Sequence, residues 1–262
     1  MKCTMRFLLT NDDGIYAQGL ASIKQALEEI GEVLVIAPVT EQSAVGHAIT
    51  LADPIKVIPI QRSGQFYGFG ITGSPADCVK LGISCIMEQP PDVVVSGINR
   101  GENVGINVLY SGTVSAATEA LILGYTGLAL SVDNYLDPDY RAASVYGARL
   151  ASRLAQLENP LPFALNVNCP SGAIEDITGV RVTRQSNSRI MDNFVKRESP
   201  RGTQYYWQAG MTQVFDDDEE DTDAVCLKKK MVSITPIHYR LGLEPENGDL
   251  KRLDLEGMLR GA

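Results

Sequence analysis

Apolar and polar positions in the first two-thirds of the chain follow two alternating patterns. Short apolar runs predict strands at residues 6–10, 32–37, 55–60, 66–71, 92–96, 128–132 and 163–168. Between them, helical periodicity predicts helices at residues 18–30, 75–87, 113–123 and 139–157. Strands that alternate with helices in this way predict an α/β fold with a mostly parallel, doubly wound sheet.

Two local patterns refine this prediction. Ser74-Pro75-Ala76-Asp77 places Ser at the N-cap, Pro at the first helical position and an acid at the third, which favours a sharp helix start. Residues 97–112 are rich in Gly and Asn and predict a long loop between a strand and a helix.

From about residue 179 the pattern changes. Strands are predicted at residues 180–184, 203–208 and 232–236, with charged loops and no helix between them. A final amphipathic helix is predicted at residues 249–259. We therefore divide the chain into an α/β core at 1–178 and a C-terminal antiparallel β-hairpin extension with a terminal helix at 179–262.

The aromatic cluster Tyr205-Tyr206-Trp207 lies in this extension. Exposed hairpins with large aromatic side chains often pair with a second subunit, which would make the protein a homo-oligomer. Packing of the same rings on their own core is an equally open interpretation.

Composition and charge narrow the class of partner. The chain has 262 residues, of which 44% are hydrophobic and 21% charged, as in ordinary globular proteins. Its net charge of −9 argues against duplex nucleic acid or an anionic membrane as the main partner. An anionic small substrate stays possible, because a bound metal reverses the local field. No stretch approaches the ~20 apolar residues that a membrane span needs.

The cysteines are Cys3, Cys78, Cys85, Cys169 and Cys226. Their odd number and the lack of Cys-x-x-Cys spacing argue against a disulfide framework and a zinc knuckle, and favour a reducing compartment. The first apolar run is too short for a signal peptide, because Asn11-Asp12-Asp13 interrupts it. We therefore expect a cytoplasmic protein.

Two adjacent carboxylates, Asp12 and Asp13, close the first predicted strand. In an open α/β sheet, ligands collect at the carboxyl ends of the strands. Two neighbouring anions raise each other's pKa unless a cation neutralises them, and Mg²⁺ prefers such oxygen ligands. The alternative is that Asn-Asp-Asp-Gly serves only as a turn and helix cap.

Three other loops follow predicted strands or precede a helix, and they carry Ser43, Asn99 and Ser111-Gly112-Thr113. A parallel sheet brings such loops to one edge, so Asp12, Asp13, Ser43 and Asn99 form a candidate site for a hard cation. Ser-Gly-Thr at a helix start offers backbone N–H groups and hydroxyls that suit phosphate. Taken singly, each of these residues is common in turns and caps.

Both histidines are candidates for proton transfer. His238 lies just after a predicted strand and could protonate a leaving group, and a structural role for it is equally open. His47 follows the Ser43 loop and is more typical of a structural residue. The acidic run at 216–221 lacks the ligand periodicity of an EF-hand loop and, like the basic run at 228–230, is typical of a solvated hairpin tip.

The sequence matches the motifs of other enzyme classes less well. Residues 68–73 match G-x-G-x-x-G before a helix, but the acid that a dinucleotide fold needs at the end of the next strand is missing. A haloacid-dehalogenase-type phosphatase needs aspartates two residues apart, and Gly14 stands two residues after Asp12. An NAD(P)-dependent oxidoreductase is therefore a minor alternative.

Several motifs together resemble the survival protein E (SurE) family of metal-dependent phosphatases. The matching stretches are residues 8–15, 37–38, 42–43, 72–79, 91–103, 110–114, 201–207 and 233–236. They include Thr10-Asn11-Asp12-Asp13-Gly14, Ser96-Gly97-Ile98-Asn99-Arg100-Gly101 and Tyr110-Ser111-Gly112-Thr113. The resemblance thus spans nearly the whole chain. It departs at Ser199, where an Asp is expected before Pro200, and in the acidic loop at 216–223.

The resemblance implies a Rossmann-like core and hydrolysis of nucleoside 5′-monophosphates with one divalent ion, Mg²⁺ or Mn²⁺. It also implies a homodimer or homotetramer built through the C-terminal hairpin. The family's metal ligands fall on Asp12, Asp13, Ser43 and Asn99. Its phosphate-binding residues fall on Ser111, Gly112 and Thr113, together with Asn103.

The working hypothesis is therefore a phosphomonoesterase in which Asp12 or a metal hydroxide acts as base and His238 as acid. The alternative from another class is a nucleotide-binding or assembly module without catalytic activity. That module would bind nucleotide and release no phosphate with any metal.

Overall fold

The computed structural model describes residues 4–157, 161–191, 193–208, 212–214 and 219–242. The strands in these ranges are β1 (Met5–Thr10), β2 (Gly31–Pro38), β3 (Val57–Arg62), β4 (Gln65–Ile71), β5 (Val93–Arg100), β6 (Gly127–Val132), β7 (Ala164–Cys169), β8 (Gly179–Val182), β9 (Arg189–Met191), β10 (Phe194–Glu198), β11 (Gln204–Gln208), β12 (Thr212–Val214) and β13 (Met231–Ile237). The α-helices are α1 (Gln18–Glu28), α2 (Pro75–Leu81), α3 (Gly112–Ile122), α4 (Arg141–Ala155) and α5 (Asp223–Lys228).

Nine strands form one mixed sheet in the order β3-β4-β2-β1-β5-β6-β7-β13-β8. The six strands from β4 to β7 run parallel, and their order along the chain is 3-2-1-4-5-6, the Rossmann order. The direction of winding reverses between β1 and β5, which leaves a crevice beyond their carboxyl ends. The predicted doubly wound, Rossmann-like fold is confirmed.

Strand β1 lies at the centre of the sheet because both of its faces are apolar. Phe7 and Leu9 pack with the side chains of α1 and α4, whereas Leu8 packs on the opposite face with α2 and α3. All three are fully buried, and each such burial stabilises the fold by roughly 1.5–3 kcal/mol. The end of β1 is therefore a rigid support for the residues that follow it.

The predicted helix start at Ser74 is confirmed. The Ser74 hydroxyl accepts a hydrogen bond from the Asp77 N–H at 3.1 Å, and Asp77 in turn accepts from the Ser74 N–H at 2.9 Å. The α-helix ends at Leu81 and continues as one π-helical turn at Gly82–Ile86, so the helical segment stops just before the expected end at residue 87.

The predicted loop at 97–112 is wrong over much of its length. Strand β5 continues to Arg100 after an irregularity, because its backbone pairs again with β6 at Asn99 and Ser131. A 3₁₀ helix then occupies Gly105–Tyr110. The composition, rich in Gly and Asn, predicted a loop, although the backbone at Asn99 and Arg100 pairs with the neighbouring strand β6.

The C-terminal part only partly matches its prediction. The hairpin β10–β11 is antiparallel as expected, and its turn is closed by Ser199, whose N–H donates to the Thr203 carbonyl at 2.9 Å. However, β13 and β8 extend the main sheet, and α5 lies before β13, so the expectation of no helix here is wrong. The division at 178/179 stays a prediction, and the helix at 249–259 lies outside the described residues.

The charged loops form ion pairs at the surface. Arg184 pairs with Glu219 and Asp221, and Lys229 pairs with Glu220 at 3.0 Å. Glu219, Glu220 and Asp221 are the described part of the acidic run, whose residues 216–218 lie outside the described ranges. Among the helices that the structure describes, none is long and apolar enough to cross a membrane.

Candidate active site

Asp12 and Asp13 follow β1 directly and so lie at the crevice where the sheet reverses its winding. Their turn is held from both sides. The Asn11 side-chain amide donates to the Gly14 carbonyl at 3.0 Å, and the Gln42 N–H donates to the Asp12 carbonyl at 2.8 Å. Gly14 has φ +95°, a left-handed conformation that glycine adopts readily.

The predicted metal ligands lie around one cavity of about 350 Å³. Its lining includes Asp12, Asp13, Ser43, Asn99, Asn103 and Ser111. The structure therefore brings together residues from four separate segments of the chain near the carboxyl ends of parallel strands, as the topology predicts.

Helix α3 begins against Asp12. The Thr113 hydroxyl donates a hydrogen bond to Asp12 Oδ1. The backbone N–H groups of Gly112 and Thr113 also lower the pKa of the Asp12 carboxyl. A Cβ on Gly112 would lie 2.8 Å from the Asp12 Cβ, so only glycine fits at this position without a shift. Thr113 is fully buried, and its hydroxyl orients Asp12 in this structure.

The two carboxylates resist ionisation. Burial raises the pKa of Asp12, although the hydrogen bond from Thr113 opposes the rise. Burial and then the negative charge of Asp12 raise the pKa of Asp13 to about 6, against the weaker opposing effect of the Arg100 N–H, which lies 3.3 Å from Asp13 Oδ2. A cation between the carboxylates would relieve both effects.

Ser43 and Asn99 add neutral oxygens to the pair. The Asn99 amide nitrogen donates to the Gly101 carbonyl at 2.7 Å, which leaves its Oδ1 as the group to offer a cation. The Ser43 hydroxyl donates to Glu41 at 2.6 Å and keeps its lone pairs. Two carboxylates, one hydroxyl and one amide oxygen fit a hard divalent ion such as Mg²⁺ or Mn²⁺.

The described residues hold no cluster of three or more His, Cys, Asp or Glu side chains suited to a metal. Two of the four candidate ligands, Ser43 and Asn99, carry no acid, imidazole or thiol group. A cluster of three or more such groups is therefore not expected at this site. Such a donor set is poor for zinc, which favours nitrogen and sulfur.

Asn103 is held in place by a buried polar network that the sequence did not reveal. Its amide nitrogen donates to Ser131 Oγ at 2.9 Å, and its N–H donates to Asn168 Oδ1 at 2.8 Å. The Asn166 side chain donates to the Asn103 carbonyl at 2.7 Å. The only sequence signal for this network is polar residues within the apolar strands β6 and β7.

Arg100 is a second residue that sequence reasoning missed. Its guanidinium lies 3.7 Å from the Glu41 carboxylate and 4.5 Å from the centre of the Tyr135 ring. Both Arg100 and Tyr135 line the cavity. The sequence feature that could have identified Arg100 as a residue of the site is its position directly after the candidate ligand Asn99.

His238 lies elsewhere. It lines a different cavity, of about 640 Å³, together with His47 and Glu119, and its Nδ1 accepts from the Arg240 N–H at 3.0 Å. The structure therefore does not bring His238 together with Asp12 and Asp13 in one cavity.

His47 has a structural partner. Its Nε2 lies 2.7 Å from Glu119 Oε2, and Lys80 lies 3.0 Å from the other carboxylate oxygen. Burial would raise the pKa of Glu119, but hydrogen bonds from His47 and Lys80 outweigh it and lower that pKa. The contact ties the loop that carries Ser43 to helix α3.

The glycines of the G-x-G-x-x-G motif serve strand packing. Gly68 and Gly70 lie in β4, where a Cβ on Gly68 would lie 2.5 Å from the Val35 carbonyl of β2. The turn after β1, where a dinucleotide pyrophosphate would bind, carries two carboxylates instead. The geometry therefore argues against the oxidoreductase alternative.

The fold defines a Rossmann-like α/β protein, and oxygen-bearing side chains line a cavity at the switch point of its sheet. The family model of the survival protein SurE matches residues 7–192. The chain belongs to this family, which confirms the resemblance drawn from the motifs.

Similar proteins extend the match over most of the chain. A protein named 5′-nucleotidase SurE from Syntrophobacter fumaroxidans is 48% identical over 237 residues, which cover 90% of this chain and 94% of the relative. One of the same name from Rhodopirellula baltica is 41% identical and covers 96% and 99%. The crystal structure of the SurE protein from Aquifex aeolicus superposes with a TM-score of 0.80 at 34% identity, covering 95% of this chain and 99% of that one.

Proposed function

We propose that this protein is a divalent-metal-dependent phosphomonoesterase that hydrolyses nucleoside 5′-monophosphates to nucleoside and phosphate. The main support is the joint placement of Asp12, Asp13, Ser43 and Asn99 around one cavity at the switch point of the sheet. The names of the similar proteins, 5′-nucleotidase SurE, support the substrate class.

In this proposal Asp12, Asp13, Ser43 and Asn99 hold one divalent ion, Mg²⁺ or Mn²⁺. When bound, such an ion neutralises charge on the phosphoryl oxygens and makes a water more acidic. Phosphoryl transfer depends mainly on positioning and charge neutralisation, so a small oxygen-rich site suffices.

The residues of the chain position the substrate and move the proton. Ser111 and Asn103 line the cavity where phosphoryl oxygens would bind. Gly112 and Thr113 follow in the first turn of α3, at the helix start that suits an anion. Asp12 is the proposed base, because its carboxylate lines the cavity where the ion and the phosphoryl group would bind. We leave His238 out of the catalytic set, because it lines a different cavity.

A phosphate-release screen tests this function. Purified protein is incubated with 5′- and 3′-mononucleotides in Mg²⁺, in Mn²⁺ or with a chelator. We expect phosphate release from 5′-mononucleotides that depends on the metal and stops with the chelator. Nucleotide binding without phosphate release in any metal would instead indicate the non-catalytic module.

A further inference from the structure

The cavity has a polar end and an aromatic wall. Asp12, Asp13 and Ser111 line the polar end, whereas Tyr110 and Tyr135 add aromatic surface. A volume of about 350 Å³ lies within the range of small-molecule sites, roughly 300–1,000 Å³. Phosphate needs only the polar end, so the aromatic surface requires a separate explanation.

Tyr135 is set in place by the residues around the acidic pair. The Arg100 guanidinium lies over the ring at 4.5 Å, while the Arg100 backbone N–H donates to Asp13. The carboxylate of Glu41, which accepts from Ser43, lies 3.7 Å from the same guanidinium. The position of the ring is therefore coupled to that of the candidate metal ligands.

The ring still has an open surface. Tyr135 is 56% exposed although Arg100 covers part of it, and Gly101 approaches it without a side chain. A Cβ at Gly101 would come within 3.4 Å of the ring. An exposed, oriented aromatic ring beside a phosphate-binding end suits a planar, π-rich group.

We propose that Tyr135 is the stacking platform for the nucleobase and so favours nucleotides over other phosphomonoesters. This inference rests on the proposed function and names the part of the substrate that its site recognises. Tyr110 is the weaker candidate, because it directly precedes Ser111 and its carbonyl accepts from the Gly46 N–H at 3.0 Å, at the phosphate end.

The test compares two substrates that differ only in the base, adenosine 5′-monophosphate and ribose 5-phosphate. Base–aromatic stacking predicts that Tyr135→Ala lowers kcat/KM for the nucleotide by about tenfold or more. Activity on ribose 5-phosphate should stay within about twofold of the wild type, because no base is lost. Tyr135→Phe keeps the ring and should keep the preference.

Leu136→Ala is the matched control, since Leu136 is the adjacent residue of the same loop and is 92% exposed. An equal loss on both substrates, or no loss on the nucleotide, would overturn the platform. Calorimetric Kd values for both compounds distinguish a failure of the stacking proposal from a failure of the proposed hydrolase function. Base-dependent binding through Tyr135 without any phosphate release would overturn the hydrolase alone.

Discussion

Asp12 and Asp13 lie where their negative charges reduce the stability of the fold in the absence of a bound metal ion. The pKa of each is raised, first by burial, and Asp13 reaches about 6. A carboxyl whose pKa is raised in the folded state contributes its full stability below its ordinary pKa and loses that contribution as the pH rises through the folded value. At neutral pH without metal, the pair therefore reduces the stability of the fold, as sites built for ligands often do.

The raised pKa values predict that replacing either aspartate by asparagine has opposite effects on activity and on stability. Asp12→Asn or Asp13→Asn should lower kcat by at least about 10²–10³-fold, because a charged ligand of the proposed cation is lost. In chelator at pH 7.5, the melting temperature should stay equal to that of the wild type or rise. Phosphate release and thermal unfolding of the same samples give both quantities.

Glu41→Gln is a suitable control for the acidic pair, because Glu41 borders Ser43 and is half-exposed rather than buried. It should change kcat far less than either Asp variant. Wild-type-like kcat in Asp12→Asn or Asp13→Asn at saturating Mg²⁺ or Mn²⁺ would refute the metal-ligand assignment.

At the scale of elements, the site depends on how closely helix α3 approaches the end of β1. The Gly112 Cα lies so near Asp12 that a Cβ would meet the aspartate at 2.8 Å and Pro75 at 3.1 Å. The first turn of α3 thus places the Thr113 hydroxyl within hydrogen-bond distance of Asp12, and its backbone N–H groups lower the pKa of that carboxyl. Small residues along the rest of α3, such as Ala116 and Ala117, let the whole helix pack tightly on the sheet.

Gly112→Ala should therefore impair catalysis more than folding. The added methyl group forces the turn away from Asp12, and a shift of about 1 Å at a reacting group can cost about 10²-fold in rate. Overpacking should reduce the free energy of unfolding by roughly 1–3 kcal/mol. Steady-state kinetics and denaturant unfolding measure the two effects.

Gly242→Ala is the control, because a Cβ there meets no atom of the described residues within 4 Å. Its kcat should match that of the wild type. If Gly112→Ala also keeps wild-type kcat, the close approach of α3 to Asp12 has no catalytic role.

At the scale of the whole molecule, the ribbon β10–β11 presents its aromatic side chains to solvent. Tyr206 is 60% and Trp207 is 64% exposed, and Phe194 on the paired strand is also exposed. In a single chain the cluster does not pack on its own core, which favours the other interpretation of the sequence. We propose that a second copy covers it, in a homodimer or homotetramer.

Trp207→Ser should then shift the protein towards a smaller species, because interface aromatic side chains contribute much of the association energy. Light scattering after size-exclusion chromatography measures the mass. Phe66→Ser is the control, since Phe66 is exposed on β4, away from the ribbon. A wild-type monomer, or an unchanged mass in Trp207→Ser, would contradict the proposal.

The structure describes four of the five cysteines. Cys78, Cys169 and Cys226 are buried and Cys85 is exposed, all of them free. Burial raises the pKa of Cys169 to about 12, so this thiol behaves as a small apolar side chain. The cytoplasmic location stays a prediction.

Local patterns predicted most of the core elements because those patterns act over few residues. The apolar run before Asp12 predicted β1 to within one residue, and the capping pattern at Ser74 predicted the start of α2. Prediction failed where backbone partners are distant in sequence. The extension of β5 to Arg100 depends on β6, and the entry of β13 into the main sheet depends on β7 and β8.

The sequence by itself determined the fold class and the order of the core elements, because local patterns of residues mark where strands end and helices start. The same patterns and motifs identified the candidate ligands Asp12, Asp13, Ser43 and Asn99. Only the tertiary structure decided that His238 lies in another cavity and that His47 pairs with Glu119. It alone also placed Arg100 and Tyr135 beside the acidic pair. Those relations join residues far apart along the chain, and their distances depend on how loops pack after the sheet has formed.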